Sequence, residues 1–206
     1  MLTERVLIVN QKAKLFESRA EYGVFDRNGV RVGAVRELRR NFLEKSMSAR
    51  PDEDQTRRLQ IIDGEGAVLM SMLRPAKLLK SKMIVSAGGG SPVGQIVQKT
   101  VGFIGLIRFD FEVSGRTIGS VTADGWDAWD FGVQDATGDE IARISKDWAG
   151  ARKELFTKSD NYVLQIHREL EEPLRSLVVA TALAIDTALY QGSSNARSKR
   201  RRPRLL

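Results

Sequence analysis

Cysteine is absent from the 206-residue chain, and histidine occurs once. The first absence excludes disulfides, cysteine-bearing zinc sites, thiol nucleophiles and S-acylation together. It also favours a reducing compartment, so a cytoplasmic location is the expectation. The opening run, Met1-Leu2-Thr3-Glu4-Arg5-Val6-Leu7-Ile8-Val9, carries an early acid and lacks a long apolar stretch, so no signal peptide is expected. A phosphate-binding loop is missing too. Gly88-Gly89-Gly90-Ser91-Pro92-Val93-Gly94 is glycine-rich, but Gln95-Ile96 follows where a Walker loop needs lysine and a hydroxyl. That stretch reads as a flexible turn. The lone His167 supplies no triad, because a base needs a bonded nucleophile and an orienting acid. Catalytic chemistry therefore has little support, and a non-enzyme is expected.

What is present is ordinary globular material, 42% hydrophobic and 29% charged, enough for one large domain with a buried core. The net charge of +7 suggests nucleic acid until it is located. From Gly192 onward the chain holds Arg197, Lys199, Arg200, Arg201, Arg202 and Arg204 and no acid. With that tail set aside the body is close to neutral. The basicity belongs to the tail, which argues against a body built as a nucleic-acid groove.

Four segments share one pattern: a β-prone run, a turn ending in Gly29, Gly66, Gly115 or Gly138, and apolar residues three and six positions later. The near set is Val32, Leu69, Ile118 and Ile141; the far set is Val35, Met72, Val121 and Ile144. Glycine adopts the positive φ that tight hairpins need, and a neighbouring Asp or Asn tolerates similar geometry. The spacing predicts four hairpins in a repeated antiparallel meander, with further strands at Val6–Val9, Lys14–Glu17 and Gly94–Thr100. Residues 46–54 are polar and read as a loop. Asp124-Gly125-Trp126-Asp127-Ala128-Trp129-Asp130 packs acids and indoles closely, and reads as a wide turn into a strand whose indoles lie on the wall.

The one strong helix comes last. Glu171 and Glu172 precede Pro173, and the run from Leu174 to Tyr190 stops near Gly192. From Leu177 to Ile185 it is apolar all round except Thr181, so lipid or protein must surround it. At roughly 1.5 Å per residue its length of about 28 Å barely spans a hydrocarbon core. Asp186 lies inside that end, and an acid deep in a membrane costs on the order of 3 kcal/mol. A sheet curled round the helix buries both apolar surfaces and removes its own edges. An enclosed helix is therefore predicted over a membrane anchor.

A β-meander closing on an apolar helix resembles the tubby-like superfamily, which includes phospholipid scramblases, LURP-one-related proteins and bacterial relatives. The last third is most similar to scramblases, through Ile144-Ser145-Lys146-Asp147-Trp148-Ala149-Gly150, Glu154-Leu155-Phe156-Thr157, Asp160-Asn161-Tyr162-Val163-Leu164-Gln165 and the helix with Ala184-Ile185-Asp186. Val9-Asn10-Gln11-Lys12 and Glu21-Tyr22-Gly23-Val24-Phe25-Asp26 agree more loosely. The resemblance implies a mainly β fold, a closed antiparallel barrel of about twelve strands around the C-terminal helix. It places that domain at 1–191 and leaves 192–206 as a basic, disordered tail. It also implies an association with membrane lipid. Scramblases carry a proposed calcium segment before the helix, and Asp160, Asn161, Glu169 and Glu171 fall on such positions. Lys158 replaces its leading acid and Arg168 intrudes.

Basic residues give the strongest functional expectation. Arg74, Lys77, Lys80 and Lys82 surround Leu78 and Leu79, and Arg200, Arg201 and Arg202 lie in the tail. Such cations near an anionic leaflet are worth about 1 kcal/mol each. The expected partner is an anionic phospholipid membrane, bound peripherally. A tail that captures nucleic acid or protein is the alternative, and a calcium-responsive lipid mover is a third reading.

Overall fold

The computed structural model describes residues 1–10, 21–38, 56–76, 81–99, 106–124, 129–146 and 161–185. Twelve strands follow one another in the chain: β1 (Val6–Asn10), β2 (Glu21–Phe25), β3 (Arg31–Leu38), β4 (Arg57–Asp63), β5 (Val68–Arg74) and β6 (Lys82–Ala87). The remainder are β7 (Pro92–Gln98), β8 (Ile107–Val113), β9 (Arg116–Ala123), β10 (Asp130–Asp135), β11 (Glu140–Ser145) and β12 (Asn161–Ile166). Each pairs antiparallel with its neighbour, and β1 pairs with β12 from Val6↔Gln165 to Asn10↔Asn161, which closes the barrel. The predicted strand Lys14–Glu17 lies outside the described residues.

One helix, α1 (Leu174–Ala184), occupies the interior. Every residue from Ser176 to Ala184 is buried, and so is Ile185 beyond it. That confirms the enclosed helix and overturns the anchor alternative. Leu7, Val9, Ile61, Phe109, Phe111, Ile144 and Leu164 line the wall and form one core with Leu177, Val178 and Leu183. Two glycines let the helix come close. A Cβ on Gly94 would lie 3.2 Å from Leu177 Cδ1, and one on Gly119 would lie 3.2 Å from Leu174 Cδ1. Polar groups inside are satisfied locally: Thr181 Oγ1 donates to Leu177 O at 2.8 Å, and Glu172 accepts from the Ser176 backbone N–H at 3.3 Å.

Three of the four predicted hairpins use one turn. Asp26, Asp63 and Asp135 each accept, through Oδ1, the backbone N–H groups two and four residues ahead, at 2.8–3.1 Å. The glycine three places on then takes positive φ, 82° at Gly29, 90° at Gly66 and 93° at Gly138. The Ser114–Gly115 turn is different, a two-residue connection with φ of 50° and 78°.

The glycine-rich stretch at 88–94 corrects the sequence reading. Ala87 N–H donates to Ser91 O at 2.8 Å, Gly90 N–H donates to Ala87 O at 2.8 Å, and Gly90 has φ of 89°. This is the backbone of the aspartate turns with alanine at the first position. It is a fifth hairpin, not a flexible turn, and β7 begins at Pro92 rather than Gly94. Proline opens the strand, where a missing N–H is tolerated.

Candidate functional site

Alternation of strand direction sorts every connection to one of two ends. At one end lie the tight turns after β2, β4, β6, β8 and β10, together with the start of β1 and the entry to α1. At the other lie the longer connections, which leave β1, β3, β5, β7, β9 and β11. Leu174 packs beside Gly119 near the turn end, so α1 runs from the turn end toward the loop end. Ile185 is the last described residue of the helical run.

Arg74 closes β5 and Lys82 opens β6, so both stand on the loop-end rim. Their environments differ. Lys82 is exposed, whereas Arg74 is only 4% exposed, opposite Arg57 in the β4–β5 register. Arg74 is thus built into the wall instead of standing in the solvated cluster the sequence suggested. Arg57 in turn lies 3.9 Å from Glu37. Lys77, Lys80, Arg200, Arg201 and Arg202 lie outside the described residues.

The sequence missed other members of this rim. Arg58 is exposed on β4, and Lys146, just past β11, sits 4.1 Å from the Trp129 ring centroid. Trp129 also packs against Tyr162 at 5.9 Å and edge-on to Phe131 at 6.4 Å, so this indole does lie on the wall. Trp126 and Asp127 lie outside the described residues. Lys99 starts at the rim but is drawn along the wall, 2.7 Å from Glu112 and 3.8 Å from Asp110. The Glu112 carboxylate beside it raises the Lys99 pKa, and Lys99 lowers that of Glu112. Asp130 is likewise committed. Arg143 donates to both of its oxygens, at 2.7 and 3.1 Å, and holds the Asp130 pKa below the usual carboxylate value.

The described members of the calcium segment lie at opposite ends of β12. Asn161 begins β12 at the loop end, is 8% exposed, and faces Asn10 in the strand register. Glu169 and Glu171 follow β12 at the turn end, both exposed. The strand between them is roughly 17 Å long at about 3.3 Å per residue. Calcium holds its oxygens at about 2.3–2.6 Å, so one ion cannot take Asn161 together with either glutamate. Asp160 lies outside the described residues. Among the described residues no three Asp, Glu or His side chains are placed to hold a metal ion.

At the turn end a cavity of about 280 Å³ is lined by Glu4, Arg5, Arg168, Glu169 and Arg175, with Leu2, Thr3, Ile166 and Leu170. Its charges are largely spoken for: Arg168 donates to Asp135 at 2.6 Å, and Arg175 lies 3.7 Å from Glu169. His167 is 3.9 Å from Glu140, itself bonded to Arg143. Among the described residues these groups pair with one another, and no nucleophile is shown beside the imidazole.

A closed antiparallel barrel filled by an apolar helix defines the tubby-like class. The model of the Scramblase family matches residues 1–192, and the chain belongs to that family. It is 31% identical over 51 residues to human (Homo sapiens) phospholipid scramblase 2, which is 25% of this chain and 17% of that protein. The match thus spans well under two thirds of the human protein's length. A crystal structure of an Arabidopsis thaliana protein shares the fold, with TM-score 0.53 and 12% identity across 89% of this chain and 91% of that one. Among the described residues no helix is long and apolar enough to cross a membrane.

Proposed function

We propose that the chain is a non-catalytic, scramblase-like protein that associates peripherally with phospholipid membranes at the cytoplasmic face. One observation carries this reading: in a member of the scramblase family, the apolar helix is consumed inside the barrel. A helix buried on all sides has no surface left for lipid, so contact with a bilayer falls to the exterior. Phospholipid is the chemistry named for the human relative. Exposed Lys82 on the rim and the arginines of the tail supply electrostatic contacts, which draw a protein to an anionic leaflet without insertion.

Vesicle co-sedimentation tests it, comparing phosphatidylcholine alone with phosphatidylcholine plus phosphatidylserine. Binding that rises with the anionic lipid is expected; equal and negligible binding to both removes the proposal. If deletion after Gln191 instead abolishes capture of DNA or RNA while vesicle binding stays absent, the tail is the functional part.

A further inference from the structure

Near-neutral composition of the body conceals a separation of charge along the barrel axis. The turns at one end carry Asp26, Asp63, Glu65, Asp135, Asp139 and Glu140, against Arg27, Arg31 and Arg116. Where the chain enters the helix, Glu169, Glu171 and Glu172 join them, against Arg168 and Arg175. The opposite rim holds Arg57, Arg58, Lys82, Arg108 and Lys146, with Arg74 buried in the wall behind them, against Glu37, Asp124, Asp130 and Asp110, which lies 2.8 Å from Arg108. Each strand contributes to both ends, so the separation is a property of the closed topology and is invisible to a sum over the chain.

We infer that the barrel docks end-on, with its loop-end rim against an anionic phospholipid surface and its acidic turn end facing away. The inference rests on the membrane reading above and adds a direction to it. Distance decides the orientation. Strands of six to eight residues put the two ends about 20 Å apart, while surface charge is screened within about 10 Å at ordinary ionic strength. With the rim at the surface, its cations sit inside the attractive layer and the turn-end carboxylates lie beyond it. Inverting the barrel places those carboxylates inside that layer and forfeits the attraction. Lying the barrel on its side brings both signs within reach, and they largely cancel.

The apolar surface agrees with the charge. Two of the large hydrophobic side chains exposed among the described residues are Leu106, 51% exposed just before β8, and Leu38, 38% exposed at the end of β3. Both stand at the loop end, on well-separated arcs of the rim. An interfacial docking surface needs this combination of cations and protruding aliphatic groups. Val30, also exposed, sits in the β2–β3 turn at the far end.

Because the chain has no cysteine, one introduced thiol takes one label at a known place. Ala76→Cys puts a fluorophore near the loop-end rim, and Ala136→Cys puts it in a turn at the opposite end. Both full-length proteins are mixed with phosphatidylcholine–phosphatidylserine vesicles containing a brominated-lipid quencher. Pro75→Cys and Asn28→Cys form a second pair should either first variant fail to fold. The expected result is quenching of the loop-end label at least threefold greater than that of the turn-end label. Equal quenching, or quenching of the turn-end label alone, in proteins that still sediment with vesicles, overturns the orientation and leaves membrane binding standing. Failure to sediment with any vesicle overturns membrane binding itself, and the orientation with it.

Discussion

Asp135 does three jobs with one carboxylate. It accepts the Thr137 hydroxyl at 2.6 Å, the backbone N–H groups of Thr137 and Asp139, and the Arg168 guanidinium at 2.6 Å. These bonds, the Thr137 hydroxyl foremost, hold its pKa down to about 2 against an ordinary 3.8. A depressed carboxylate pKa adds stability that is present above the unfolded-state value and is lost as pH falls through the folded one. The barrel is therefore expected to lose this contribution between about pH 4 and pH 2. Asp135→Asn keeps an acceptor oxygen but removes the charge. Thermal unfolding followed by circular dichroism at neutral pH is expected to show a lower midpoint for the variant, with the gap closing toward pH 2. A gap that stays constant with pH would contradict the assignment.

Gly94 makes a steric prediction at the same scale. A methyl group there would lie 2.8 Å from Glu112 O and 2.9 Å from Val113 Cγ2, as well as near Leu177. Strand backbone cannot move aside cheaply, so Gly94→Ala is expected to destabilise by about 1–3 kcal/mol through overpacking. Gly89 has nothing within 4 Å of the same position, and Gly89→Ala is expected to fall within about 0.5 kcal/mol of the parent. Urea midpoints at constant slope compare the two. Equal shifts would mean that the close contacts at Gly94 do not set the cost.

Among elements, the helix and the hairpins differ in how openly the sequence announces them. A run from Leu177 to Ile185 with Thr181 as its one polar residue can only be surrounded, and the structure surrounds it. Aspartate followed by glycine three residues later announced the turns at Gly29, Gly66 and Gly138, because the carboxylate caps the same N–H groups each time. The fifth hairpin keeps that backbone but starts with Ala87, so its side-chain signal is missing. The apolar spacing survived: Val93 and half-buried packing three places after Gly90, fully buried Ile96 at six. Three consecutive glycines and a proline masked it, since composition there describes flexibility while spacing describes register. Register was the better guide. For the helix, Leu177→Ala leaves a hole under Gly94 and is expected to cost about 2–5 kcal/mol in denaturant unfolding. A loss below about 1 kcal/mol would place Leu177 outside the packed interior.

Across the whole molecule, what the sequence hid was grouping. Arg58, Lys82 and Lys146 are far apart in the chain, yet each lies at a strand boundary on the same side of the barrel. Knowing which side requires counting every strand, and one missed hairpin, such as that at Gly90, reverses the side of everything beyond it. The same counting separates Asn161 from Glu169 and Glu171, which look like neighbours in sequence. The charge separation that results predicts unequal effects for equal substitutions. Neutralising a cation held near an anionic leaflet costs about 1 kcal/mol, or roughly fivefold in binding. Arg58→Gln combined with Lys82→Gln is therefore expected to weaken partitioning onto phosphatidylserine-containing vesicles by roughly 25-fold, as two such steps. Arg27→Gln combined with Arg116→Gln changes the net charge by the same amount at the turn end. Lying beyond the screening length, that pair is expected to leave partitioning within about twofold of the parent. Salt sharpens the comparison, because added salt shrinks the attractive layer and should bring the parent down toward the rim variant. Two double variants that weaken binding equally would show that the vesicle responds to total charge, and that the axial arrangement of this barrel has no part in holding it there.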